Sequence, residues 1–224
     1  IKGINPNAKI MSLKAFHTKL SDPLYAAKAL RYAVDNGADI INCSFVEFKY
    51  TQELVDAVHY ALDSGVVVVA AAGNNGKKID GKKYYPVSIP GVISVANHTN
   101  NNELYKTSNY GKKSVLIAAP GTAIRSTGLD NKYVYRTGTS MAAPHITGLV
   151  AFIKRELPKT RAEVSQYIFL FESGDYKKGR DLWKLISNGT SKSSQMWVHF
   201  KSGDNQKMIY TEKKLEDFLK KNPP

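Results

Sequence analysis

The sequence has a single cysteine, Cys43, so no internal disulfide can form. A lone cysteine in the apolar stretch Asp39 to Ser44 reads as inert core. Long hydrophobic runs are missing too. The longest, Val66 to Ala72, is far short of the roughly 20 residues a membrane helix needs, so no membrane span is expected. Acidic residues are scarce: 19 Asp and Glu stand against 32 Lys and Arg, a formal net charge of +13. Such a balance suits nucleic acid, an anionic surface or acidic substrates. The charge is dispersed, however, and no recognised nucleic-acid motif accompanies it. The pairs Lys112-Lys113, Lys177-Lys178, Lys213-Lys214 and Lys220-Lys221 read as solvated faces, and no specific nucleic-acid partner is expected. No signal peptide is visible and the first residue is Ile, so a processed product, a fragment or a trimmed chain is expected. Internal repeats are absent.

What is present suffices for one sizeable core: 42% of the 224 residues are hydrophobic. Lys9 to Phe16 alternates enough apolar residues to predict a strand. Asp22-Pro23 offers an N-cap and a first-turn proline to a helix filled by Leu24, Ala27, Ala29, Leu30 and Val34 and closed by Gly37. Asp39 to Ser44 predicts a buried strand. Thr51 is placed to cap a second helix with Leu54, Val55, Val58 and Leu62 on one face. Val66 to Ala71 is a β-branched run suited to a parallel sheet covered on both sides. Val92 to Ala96 and Ser114 to Ala118 predict two more strands. The alternation implies an α/β fold built on a doubly wound, mostly parallel sheet flanked by helices. Arg161 to Phe171 and Lys178 to Ile186 read as helices. After the polar break Asn188 to Ser194, a hairpin (Met196 to Lys201 with Gln206 to Tyr210) and a basic helix (Glu212 to Lys221) form an appendage. The expected division is residues 1–187 and 188–224.

The chemistry gathers at Thr137-Gly138-Thr139-Ser140-Met141-Ala142-Ala143-Pro144-His145-Ile146-Thr147-Gly148. A serine where a turn meets a helix sits among free backbone N–H groups at the positive end of the helix dipole. That place suits an oxygen nucleophile attacking a carbonyl, since the oxyanion forms beside those donors. It equally suits an N-capping serine.

Gly-Thr-Ser-Met-Ala-Ala-Pro-His closely resembles the nucleophile motif of the subtilisin-like serine proteases, or subtilases. Upstream and in the family's order stands Val66 to Gly76, ending Ala70-Ala71-Ala72-Gly73-Asn74-Asn75-Gly76, which resembles the strand and turn carrying the oxyanion-hole Asn. Tyr85-Pro86 to Val95, Ala119-Pro120-Gly121 and Ser126-Thr127 match in order between them. The similarity runs from about Ile1 to Ser187. It implies a subtilisin-like fold and a serine endopeptidase, with Ser140 as acyl-forming nucleophile and Asn74 as oxyanion-hole amide. The substrate, a protein or peptide, would pair with the edge matching Ser44, Phe45 and Val46, across a pocket whose other wall is Ala71-Ala72-Gly73. The family usually has glycines after that Ser. Here Val46 and Glu47 stand there: the β-branched Val either blocks an incoming strand or narrows the pocket, and Glu47 either favours basic substrates or simply points to solvent.

The resemblance also exposes an absence. The family places a catalytic Asp, then a His in a His-Gly-Thr-His type motif, before the Ser. Neither context occurs, and Ile1 to Ile10 resembles the segment following the catalytic-His helix. Among the five histidines, His145 is turned away from Ser140 on a 3.6-residue helix. His17, His59, His98 and His199 read as structural or exposed. The chain alone is therefore expected to be inactive and to need Asp and His from an N-terminal segment or a separate chain. In the family the Asp strand lies between those matching Lys9 to Phe16 and Asp39 to Ser44, so autonomous folding is not expected either. A non-catalytic domain binding a protein or peptide is the alternative. The family implies secretion or the cell envelope, needs no cofactor for the chemistry, and often binds structural calcium. Candidate oxygen donors cluster at Asn97 to Glu103, but no ligand is assigned.

Overall fold

The computed structural model describes residues 3–16 and 22–156. The expected helices Arg161 to Phe171 and Lys178 to Ile186, the 187/188 boundary and the 188–224 appendage lie outside the described residues, as do His17 and His199. The described elements run α1 (Pro23–Asp35), β1 (Ile40–Cys43), α2 (Gln52–Asp63), β2 (Val67–Ala71), β3 (Ile93–His98), β4 (Ile117–Pro120), β5 (Ile124–Thr127), β6 (Tyr133–Arg136) and α3 (Thr139–Glu156). Strands β1 to β4 form a parallel sheet in sequence order, and β5 pairs antiparallel with β6. The α/β architecture is the one the sequence implies.

Each face of the sheet carries its own core. Val67, Val69 and Ala71 point to one side and pack with Ile93, Val95 and Ile117 beneath Ala142, Ala143, Ile146, Leu149 and Val150 of α3. Val68 and Ala70 point to the other side, against Leu30 of α1 and Leu54, Val58 and Leu62 of α2. This two-sided burial explains why β2 is apolar at every position. Cys43 is buried and its thiol is pushed up to about 12 by desolvation, so it is neutral, inert core.

Local signals decided most element ends. Asp22 Oδ1 accepts the N–H of Leu24 at 2.9 Å, with Pro23 in the first turn of α1. Thr51 occupies the cap position of α2 but its side chain makes no capping bond. Two expectations need correction. Lys9 to Phe16 forms no strand among the described residues; it pairs with no other segment, and Ile10 is 85% exposed. Alternation alone does not make a strand without a ladder to join. The strand expected from Ser114 begins instead at Ile117. The Asp80 carboxylate takes the N–H groups of Lys112 (2.8 Å), Lys113 (2.8 Å) and Ser114 (3.0 Å), folding that backbone into a turn.

The β5–β6 hairpin was not read from the sequence. Its turn places Asp130 and Asn131 at φ 55°, a conformation that short polar side chains tolerate. Gly128 N–H closes it on Lys132 C=O at 2.7 Å.

Candidate active site

The carboxyl end of β2 runs into a turn at Gly73, and the N-terminus of α3 lies against it. Gly73 has φ +95°, and a Cβ there would fall 2.6 Å from Asn109 Nδ2. Both facts require glycine. Asn109, fully buried, fastens the turn. Its Nδ2 donates to Ala72 C=O at 2.9 Å, and its Oδ1 accepts from Asn75 and Lys77 N–H, each at 3.1 Å. Gly138, at φ +154°, lets the chain pass so close to Asn74 that a Cβ would sit 3.3 Å from Asn74 Oδ1.

Thr139 ties the two pieces together. Its N–H donates to Asn74 Oδ1 at 2.8 Å, and its hydroxyl donates to the same oxygen at 3.1 Å while accepting the Gly73 N–H at 3.1 Å. A backbone N–H can only donate, so the atom facing it must be the amide oxygen. The Nδ2 of Asn74, an exposed residue, is left with no hydrogen bond among the described residues. Ser140 is a first-turn residue of α3, not its N-cap. The N–H groups around it are engaged: Thr139 with Asn74, and Met141 and Ala142 with Gly138 C=O at 3.0 and 3.3 Å. The Ser140 N–H has no such partner among the described residues. Two donors, Ser140 N–H and Asn74 Nδ2, thus have no hydrogen-bond partner among the described residues, the first in the opening turn of α3 and the second on the residue tied to that turn through Thr139.

Ser140 Oγ donates to Ser44 C=O at 2.9 Å, and Ser44 Oγ donates back to Ser140 C=O at 3.0 Å. Ser44 therefore meets the nucleophile candidate through two hydrogen bonds. Phe45 packs edge-on against Phe16, ring centroids 4.9 Å apart. Val46 lies over the turn, with Cγ2 3.5 Å from where a Gly73 Cβ would be. Ala71 and Ala72 are buried in opposite cores, so of the expected opposite wall Gly73 is the residue left beside the turn. Beyond Val46 the backbone is already paired: Glu47 N–H donates to Tyr85 C=O at 2.7 Å and Tyr85 N–H to Glu47 C=O at 2.8 Å. Partial burial raises the Glu47 carboxyl pKa, helped by repulsion from Asp22.

No histidine among the described residues reaches Ser140 Oγ. His145 Nδ1 faces Met141 C=O of its own helix at 2.8 Å, and burial lowers its pKa. His98 is buried at the end of β3, and His59 is exposed on α2. Among the described residues no three His, Cys, Asp or Glu side chains gather as a metal site. In the Asn97 to Glu103 loop the Thr99 hydroxyl accepts from Asn101 and Glu103 N–H, and Asn97 Oδ1 accepts from Thr122.

Sequence reasoning named Ser140, Asn74 and Ser44 but assigned no role to Thr139 or Asn109. Thr139 lay inside the motif with no evident partner, and Asn109 is remote from it in sequence.

The site thus combines a parallel sheet, a serine hydroxyl in the first turn of a helix and a side-chain amide tied to that helix start. The subtilase family model matches residues 1–182. The thermophilic serine proteinase of Bacillus sp. (strain AK1) is 40% identical over 169 residues, 75% of this chain and 41% of that protein. Fervidolysin of Fervidobacterium pennivorans is 33% identical, over 83% of this chain and 31% of that protein. The minor extracellular protease Epr of Bacillus subtilis is 35% identical, over 70% and 24%. Among solved structures, a protease from Pseudoalteromonas arctica superposes with a TM-score of 0.69 at 29% identity, covering 74% of this chain and 56% of that one. The chain belongs to the subtilase family. It spans about a quarter to two fifths of the length of these curated relatives.

Proposed function

We propose that this chain carries the nucleophile half of a serine endopeptidase centre, with peptide-bond hydrolysis passing through an acyl-enzyme on Ser140. The observation that carries this is the tie through Thr139, which fastens Asn74 by its Oδ1 to the residue before Ser140 and leaves Asn74 Nδ2 and Ser140 N–H without partners among the described residues. In the reaction Ser140 Oγ adds to the scissile carbonyl carbon. The carbonyl oxygen becomes the oxyanion between those donors, and the amine departs with a proton from the general acid. Water then adds to the acyl-enzyme by the same route and releases Ser140. A base must take the Ser140 proton, and a carboxylate must orient that base. The reading takes both from polypeptide outside the described residues, in cis or as a second chain. The substrate is a protein or peptide whose backbone meets the edge at Ser44 and Val46. Secretion or residence at the cell envelope follows by analogy with relatives such as the extracellular protease of Bacillus subtilis.

The test is hydrolysis of an internally quenched peptide library by the protein expressed with its adjoining coding sequence. Ser140→Ala is expected to abolish turnover. Asn74→Ala is expected to lower kcat by about 10²–10³ with KM little changed, the loss of one oxyanion donor. Turnover unaffected by Ser140→Ala would sink the reading. One observation favours a second reading, a non-catalytic domain that binds a peptide or protein: the Glu47–Tyr85 bridge and Val46 already occupy part of the edge. In that case the peptide would bind and neither variant would alter its fate.

A further inference from the structure

Pro144 stands inside α3, four residues after Ser140. The ordinary partner of a helical carbonyl is the N–H four residues on, and proline has none. The Ser140 carbonyl therefore lacks its usual donor. Ser44 Oγ supplies one from another element at 3.0 Å. That hydroxyl in turn accepts from Asn42 Nδ2 at 2.8 Å, and Asn42 Oδ1 accepts from Thr147 Oγ1 at 2.8 Å. Thr147 lies seven residues after Ser140, two turns on and on the same face of α3. The helix thus provides both ends of the chain of bonds, and β1 with the residue after it provides the middle. From Asn42 through Ser44 to Ser140 the donors point one way, while the single Thr147 hydroxyl proton is shared between Asn42 Oδ1 and, at 3.1 Å, its own helix's Ala143 C=O.

We propose that Asn42 is a positioning residue for the nucleophile. By orienting the Ser44 hydroxyl it holds the Ser140 carbonyl that Pro144 leaves open, and so fixes Ser140 where its N–H and Asn74 Nδ2 face one oxyanion. The proposal rests on the peptidase reading for its effect on rate, though not for the bonds themselves. The part of Asn42 that matters is the donor toward Ser44, which a carboxamide has and a carboxylate lacks. Neither Asn42 nor Thr147 touches the reacting atoms.

The test compares inactivation by a fluorophosphonate in the protein with its adjoining coding sequence. Asn42→Asp keeps the shape and loses the donor; its first-order inactivation constant should fall about tenfold with the half-saturating probe concentration unchanged, the size expected of one hydrogen bond. Ser44→Ala should fall as far, the double variant no further, and Ser44→Thr, which keeps the hydroxyl, should recover most of the rate. A wild-type rate in Asn42→Asp, or losses that multiply in the double variant, overturns the proposal while leaving the peptidase reading intact. If the wild-type protein takes no probe, the peptidase reading fails, and a double-mutant cycle of Asn42→Asp and Ser44→Ala in urea unfolding decides the relay. Coupled losses support it, and additive ones overturn it.

Discussion

Asp80 shows how far one side chain can set local structure. Its carboxylate accepts the N–H groups of Lys113, Lys112 and Ser114, and these bonds hold its pKa at about 2, with Lys78 adding a smaller attraction. The unfolded carboxyl titrates near 3.9. A pKa depressed by folding means stability that is complete above the unfolded value and lost as pH falls through the folded one. Between about pH 4 and pH 2 the wild-type urea midpoint should therefore fall more steeply than that of Asp80→Asn, whose amide does not titrate. Parallel curves would contradict this. At the same scale, legibility depended on sequence distance. Ser140 and Asn74 announce themselves within short motifs. Asn109 and Asp80 act on backbone some thirty residues away, and an isolated Asn or Asp carries no mark of the loop it will close.

Among elements, the helix starts were legible because capping is local, yet the two caps differ. Asp22 makes its bond to Leu24 N–H, whereas Thr51 makes none. Asp22→Ala should cost about 1 kcal/mol in chemical denaturation, and Thr51→Ala only a few tenths. Equal losses would show that Thr51 finds its bond in solution. Strands were less legible than helices. The run Val67–Ala71 declared itself through uninterrupted β-branched and small residues buried on both faces. Lys9 to Phe16 has the alternation but no ladder, and the Tyr133–Arg136 strand is mostly exposed, so its burial pattern gives little periodic signal. Where pairing rather than composition decides, the sequence of one segment is silent.

At the scale of the whole molecule, the two cores are joined through a sheet whose β1 edge is free among the described residues. Ile10, Met11 and Leu13 are exposed, in a segment that pairs with no other among the described residues. An open sheet edge suits an added strand, exposed apolar side chains suit a covering one, and the proposed reaction needs a base and a carboxylate from somewhere. One polypeptide could satisfy both needs. The measurement that tests this most directly is intact-mass analysis after a fluorophosphonate, followed by peptide mapping, on the 224-residue chain and on the protein with its adjoining coding sequence. The account predicts one adduct, on Ser140, in the longer protein and little or none in the shorter. An adduct elsewhere, or no adduct on Ser140 in the longer protein, would contradict it.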